Sequence, residues 1–260
     1  MPEYETSARA VLRALGIELE IIPGAVCCGA PIVESFTSDW VYLSIYNLAR
    51  AAAMGHGTVV TLCGSCTNAL SRADLALSDD AVRIEAQRSL EPLGLPLPGH
   101  ITVTHLVRVL SEHQSALRTH IVRPLQLRIA LTNPCQVFRP GEVMQFDDPM
   151  NPVTIHQLVE LTGASVFDYD GENECCGATL YLADGRLSLA AGRRKLDATA
   201  AADVLVHACG NCHLLLRHFQ RAITKGSDRK PQETLFLSQL LGLAMGLPEY
   251  ELGLRENRWR

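Results

Sequence analysis

The chain has 260 residues, 47% hydrophobic and 20% charged, an ordinary globular balance with ample apolar side chain for a core. Its net charge is −5, and its 23 basic residues include only three lysines (Lys195, Lys225, Lys230), with no basic block or aromatic-interleaved stripe, so nucleic acid is not an expected partner. No apolar run approaches the roughly 18 residues needed to span a bilayer, and the amphipathic N-terminus lacks an export signal's apolar core, so no membrane span and a cytoplasmic location are expected.

Glu5 to Leu15 has apolar residues at helical spacing (Ala8, Val11, Leu12, Leu15) and ends at Gly16. Ile17 to Ile22 alternates and is expected to be a strand, followed by a Pro23-Gly24 turn and Cys27-Cys28-Gly29. Ser38 or Asp39 is placed to cap a helix running to about Met54. Thr58 to Leu62 then reads as a buried strand that delivers Cys63-Gly-Ser-Cys66 at its C-terminal end, with a helix from Thr67. Residues 79–123 carry a mostly helical pattern, interrupted by Pro92 to Gly99, and the domain junction falls between about 118 and 127. Leu127 to Leu131 is the next strand and leads into Asn133-Pro134-Cys135.

From there the order repeats. Thr154 to Gly163 is a helix ended by glycine, Ala164 to Tyr169 a strand, and Cys175-Cys176-Gly177 follows. Leu187 to Ala202 is a helix, and Asp203 to His207 a strand ending at Cys209-Gly-Asn-Cys212. CCGAPI matches CCGATL, and VVTLCGSCTNAL matches VLVHACGNCHLLL, with 34 residues between Cys28 and Cys63 and 32 between Cys176 and Cys209. Agreement in order, spacing and surroundings implies two copies of one unit. The expected class is α/β: two cysteine-rich units, 1–122 and 123–260, each with a short parallel sheet flanked by helices and its cysteines at the strands' C-terminal edge.

Nine cysteines in a reducing compartment point to metal binding or catalysis rather than disulfides. The second copy holds five: Cys135, Cys175, Cys176, Cys209 and Cys212. A tetrahedral zinc or a cubane cluster needs four thiolates, and adjacent thiolates reach opposite corners of one small tetrahedron poorly. Neighbouring irons of a larger, irregular cluster suit them better. The first copy holds four (Cys27, Cys28, Cys63, Cys66), because no residue of this chain corresponds to Cys135. Either a cysteine lies upstream of Met1 or this copy holds a reduced site.

This pattern resembles the CCG cysteine-rich domain of the heterodisulfide reductase B subunit and its relatives, which include iron–sulfur subunits of lactate, glycolate and glycerol-3-phosphate oxidising systems. Met144 to Pro152 (MQFDDPMNP) is similar to the heterodisulfide reductase branch. The resemblance implies a non-cubane [4Fe-4S] cluster on Cys135, Cys175, Cys176, Cys209 and Cys212. Cys27, Cys28, Cys63 and Cys66 match all but the first ligand of the other set, which leaves a reduced cluster, a zinc or an empty site. It further implies an oxidoreductase subunit working on thiols and disulfides, with a ferredoxin-type C subunit, a flavin-bearing A subunit and a lipoate-binding protein as partners. Twenty arginines to three lysines favour the bacterial sulfur-oxidising branch.

Two other classes remain: an electron-transfer subunit of a lactate- or glycolate-type dehydrogenase, and a zinc-stabilised interaction module. Cys209 to His213 also spells the haem-attachment motif C-x-x-C-H, against which the missing export signal counts; a thioredoxin-like reading of Cys63–Cys66 ignores the repeat. His207 and His213 are candidate hydrogen-bond donors to cluster sulfurs. Arg139 is a candidate counter-charge. Leu235 to Leu247 is a core or partner-facing segment.

Overall fold

The computed structural model describes residues 1–29, 32–227 and 230–254. The first half contains α1 (Pro2–Ala14), α2 (Trp40–Ala53), β1 (Thr58–Thr61), α3 (Gly64–Ala76), α4 (Asp80–Leu90), β2 (Thr102–His105), α5 (Leu106–Glu112) and α6 (Gln114–His120). There follow β3 (Arg128–Thr132), α7 (Cys135–Phe138), α8 (Gly141–Met144), α9 (Thr154–Leu161), β4 (Ser165–Val166) and α10 (Gly185–Ala198). The chain continues through β5 (Val204–His207), α11 (Gly210–His213), α12 (Gln220–Ile223), β6 (Thr234–Phe236) and α13 (Leu237–Ala244). Among the described residues no helix is long and apolar enough to cross a membrane.

The residues form two compact units, each discontinuous in sequence: 20–106 with 136–146, and 1–19 with 107–135 and 147–260. This partition differs from a division at 122/123. In α1, Tyr4, Ala8, Val11 and Leu12 form a buried stripe at helical spacing. Tyr4 stacks on Phe236 at 3.9 Å, and Ser7 Oγ lies 2.7 Å from Ser238 Oγ, which fastens α1 to the β6–α13 corner. Gly16 stops α1 with a Schellman pair: its N–H donates to Arg13 O, and Ile17 N–H donates to Leu12 O, both at 2.9 Å. Gly55 and His56 end α2 in the same way.

The larger unit holds a parallel sheet of order β4-β3-β5-β6. The chain goes from β3 to β4 on one side, then crosses to β5 on the other, so the topological switch point lies between β3 and β5. All four residues of β5 are buried, which explains an apolar run without alternation. Residues 235–247, apart from Gly246 and Leu247, are buried core, with Leu235, Phe236, Leu240 and Leu241 fully enclosed.

The smaller unit pairs β1 with β2 in parallel, covered by α2 and α3. Trp40, Ile45, Leu48, Leu70 and Leu90 belong to its core. Two expectations are corrected here. Residues 17–22 form no strand: β4, their counterpart, exists by pairing with β3, and the first copy has no strand in the β3 position among the described residues. Residues 102–105, taken as part of a helical stretch, form β2, because the β-branched run ITVT finds β1 alongside.

Candidate functional site

Both C-x-x-C motifs sit where a strand turns into a helix. Cys63 is the N-cap of α3 and Cys209 the N-cap of α11, each with extended backbone (φ −140° and −146°). The second cysteine of each motif is then the third helical residue. N-cap and third-residue side chains face one another across the first turn, so this spacing brings two sulfurs together. Cys209 follows β5 and Cys135 follows β3, on either side of the switch point, where open α/β sheets bind ligands.

The glycine after each cysteine pair has a backbone reason. Gly177 (φ +89°) and Gly29 (φ +74°) both adopt the left-handed conformation. A Cβ on Gly177 would lie 2.8 Å from Ala191 Cβ and 3.1 Å from Ser188 O. The turn also directs Gly177 N–H toward Cys175 Sγ at 3.4 Å.

All five thiols of the second set form one connected group. Cys135 contacts Cys175, Cys175 contacts Cys176, Cys176 contacts Cys212, and Cys212 contacts Cys209. Cys176, Cys209 and Cys212 are buried, Cys135 is half-buried and Cys175 is exposed. Crowding shifts their acidities in opposite directions. The contact with Cys175 and burial push Cys135 up, and contacts with Cys176 and Cys209 push Cys212 well up. Cys175 is pulled far down as acceptor from Cys135, Cys176 and Gly177 N–H, with the Lys195 charge nearby.

In the first set Cys28, Cys63 and Cys66 come together, and contacts with Cys28 and Cys63 raise the Cys66 thiol strongly. Cys27 is exposed. His105, buried at the end of β2, is pushed down to about 4 by burial, partly offset by Cys63.

Residues not singled out from sequence support the second set. The Lys195 ammonium, 5% exposed, donates to Gly171 O (2.8 Å) and Glu172 O (3.0 Å) in the loop ahead of Cys175. Glu172 accepts from Asn133 Nδ2 at 2.8 Å and pairs with His156 Nε2 at 2.6 Å, linking the end of β3 to that loop. Tyr4 donates to Ala208 O at 3.1 Å, just before Cys209. The scarcity of lysine was the one sequence signal for Lys195. Arg139 lies half-buried in the smaller unit, its carbonyl accepting from Asn68 at 3.0 Å, whereas Cys135 belongs to the larger unit.

His207 is fully buried at the end of β5, and neither ring nitrogen has a hydrogen-bond partner among the described residues. Burial, with His213 and Lys195 nearby, pushes its pKa well down. A neutral imidazole still carries one N–H, and leaving that donor unmet costs about 1–3 kcal/mol.

An α/β frame that gathers thiols at its strand ends defines a cysteine-rich metal- or cluster-binding class. A family model described as a cysteine-rich domain (CCG) matches residues 1–71 and 129–217. The chain belongs to this CCG family and is similar throughout to heterodisulfide reductase B subunits. It is 32% identical, over 98% of its length and 88% of the relative, to the B subunit of the ferredoxin/F(420)H(2)-dependent CoB-CoM heterodisulfide reductase of Methanosarcina acetivorans. It is 31% identical, over 98% of its length and 91% of the relative, to the "8-methylmenaquinol:fumarate reductase membrane anchor subunit" of Wolinella succinogenes. A crystal structure of a hypothetical protein from Helicobacter pylori superposes with a TM-score of 0.71 at 17% identity, which shows the shared fold. That match covers 96% of this chain and 47% of the other.

An iron–sulfur cluster, the group this family implies, suits the residues present. Five sulfur donors converge, one more than a tetrahedral zinc uses. The crowding that raises Cys135, Cys176 and Cys212 is relieved when a metal takes the thiolates.

Proposed function

We propose that the protein is the iron–sulfur catalytic subunit of a heterodisulfide reductase-like complex, carrying out thiol/disulfide redox at Cys135, Cys175, Cys176, Cys209 and Cys212. The single observation that carries this reading is the continuous contact of five thiols at the switch-point edge. A non-cubane [4Fe-4S] cluster held there would supply electrons singly to a disulfide whose cleavage to two thiols takes two electrons and two protons.

The chain's own residues set the conditions. Burial of Cys176, Cys209 and Cys212 keeps water from one side, and exposed Cys175 marks the side open to a substrate sulfur. Lys195 places a buried positive charge near thiolates that carry negative charge. The first set is proposed to hold a reduced cluster or a zinc, or to be empty.

A ferredoxin-type C subunit, a flavin-bearing A subunit and a lipoate-binding carrier are the proposed partners. The arginine-rich composition favours the bacterial branch of the family, and nine cysteines outside any disulfide support the cytoplasm.

Anaerobic purification with iron, acid-labile sulfide and zinc analysis is the first test. About four irons with matching sulfide at the second set are expected; about one zinc per motif with negligible sulfide would overturn the cluster reading. Cys175→Ser and Cys176→Ser should each remove the cluster's spectroscopic signal, and a retained signal with full activity refutes the ligand assignment.

The fumarate reductase relative favours a second reading, in which the subunit transfers electrons without disulfide chemistry. Absence of thiol or disulfide turnover by the loaded protein, with a dehydrogenase co-purifying, would select it.

A further inference from the structure

Outside the cysteine sets, Glu3, His213 and His218 bring three ligating atoms within 4.8 Å of one another. Glu3 Oε1 lies 3.9 Å from His213 Nε2 and 4.0 Å from His218 Nε2. The backbone explains this. Residues five apart point to different sides of a regular α-helix. Leu214–His218, however, is a π-helix, closed by Phe219 N–H donating to Leu214 O at 3.3 Å. An i→i+5 ladder stacks residues five apart on one face, and the two imidazoles stand 5.7 Å apart between centroids.

His213 is buried, and its ring is held against Phe236 at 4.0 Å. Its Nδ1 is also buried and has no hydrogen-bond partner among the described residues. Glu3 is fixed from behind, since a Cβ on Gly253 would lie 2.9 Å from Glu3 Cα. A cavity of about 340 Å³ opens beside the three residues, and Arg217 and Glu233 line it with opposite charges.

We infer that Glu3, His213 and His218 form a site for a divalent first-row transition ion. Two imidazoles and one carboxylate are a zinc donor set, and the cavity leaves a fourth position for water. Tetrahedral zinc with bonds of about 2.0–2.1 Å needs its ligand atoms about 3.4 Å apart. The triad therefore closes by roughly 0.5–1.5 Å on binding, a movement that the half-exposed His218 can supply. The ion would tie the first turn of α1 to the segment directly after Cys212. The site uses no cysteine, so it stands whether or not the cysteines hold clusters.

The test is equilibrium dialysis of the full chain against cobalt(II), as a spectroscopic stand-in for zinc, with wild type, Glu3→Gln and His218→Ala compared. Wild type should bind one equivalent more than either variant, and that equivalent should show d–d bands without thiolate-to-cobalt charge transfer. His218→Asp, which keeps an oxygen donor, should restore it. Equal stoichiometry in all proteins, or charge-transfer bands on the extra equivalent, overturns the site. Failure of the cluster reading would instead appear as cobalt on thiolates in all variants, leaving the difference between them intact.

Discussion

Replacing Gly177 with alanine tests why each adjacent cysteine pair is followed by glycine. Two costs act together. A left-handed alanine is disfavoured by about 1–2 kcal/mol, and the lower entropy of the unfolded chain returns about 0.4–1 kcal/mol. The new methyl would also lie 2.8 Å from Ala191 Cβ and 3.1 Å from Ser188 O, both on α10. These neighbours are a helix methyl and a helix carbonyl, so relief requires shifting α10 or the cysteine turn, at about 1–3 kcal/mol. Gly16→Ala is the control: φ is +78° there and nothing lies within 4 Å of the added methyl. Anaerobic urea unfolding should show Gly177→Ala losing about 1–3 kcal/mol more than Gly16→Ala, with lower iron content. Equal losses with equal iron would refute the argument that close packing behind the cysteine turn requires glycine.

Other consequences are equally specific. Lys195→Met leaves Gly171 and Glu172 carbonyls without their ammonium donor and should cost about 2–4 kcal/mol in chemical denaturation. In a loaded protein the lost positive charge should also make the cluster's midpoint potential more negative. Tyr4→Phe removes the donor to Ala208 O and should lower the melting temperature by about 2–4 °C, for a loss near 1 kcal/mol. The bond to Glu172, opposed by burial, raises His156 above its ordinary value. A raised folded pKa stabilises fully below the unfolded value of about 6.5, and this contribution disappears as pH rises through the folded value. The stability gap between wild type and His156→Gln should therefore narrow from mildly acidic to alkaline pH; a pH-independent gap would show that the pair does not titrate as described.

Local covalent spacing carried much of the site into the sequence. Cys63–Cys66 and Cys209–Cys212 span one helical turn, Gly16 and Gly55 are helix stops, and the repeat is visible because each copy has the same turns in the same order. That the two halves each carry a motif of this kind follows from residues close together in the chain. Strand identity was less legible. Residues 17–22 alternate like a strand yet pair with no strand among the described residues, while 102–105 become one because β1 runs alongside.

Only the tertiary structure decided how the cysteine segments are held. Lys195, Glu172, Asn133 and His156 come from four distant stretches, and no one of them has a local pattern that signals its role. The larger unit gathers α1 because Tyr4 and Ser7 meet Phe236 and Ser238, more than 200 residues away. Sequence determined which thiols are available and which turns present them; packing across the chain decided that the five of the second set would touch.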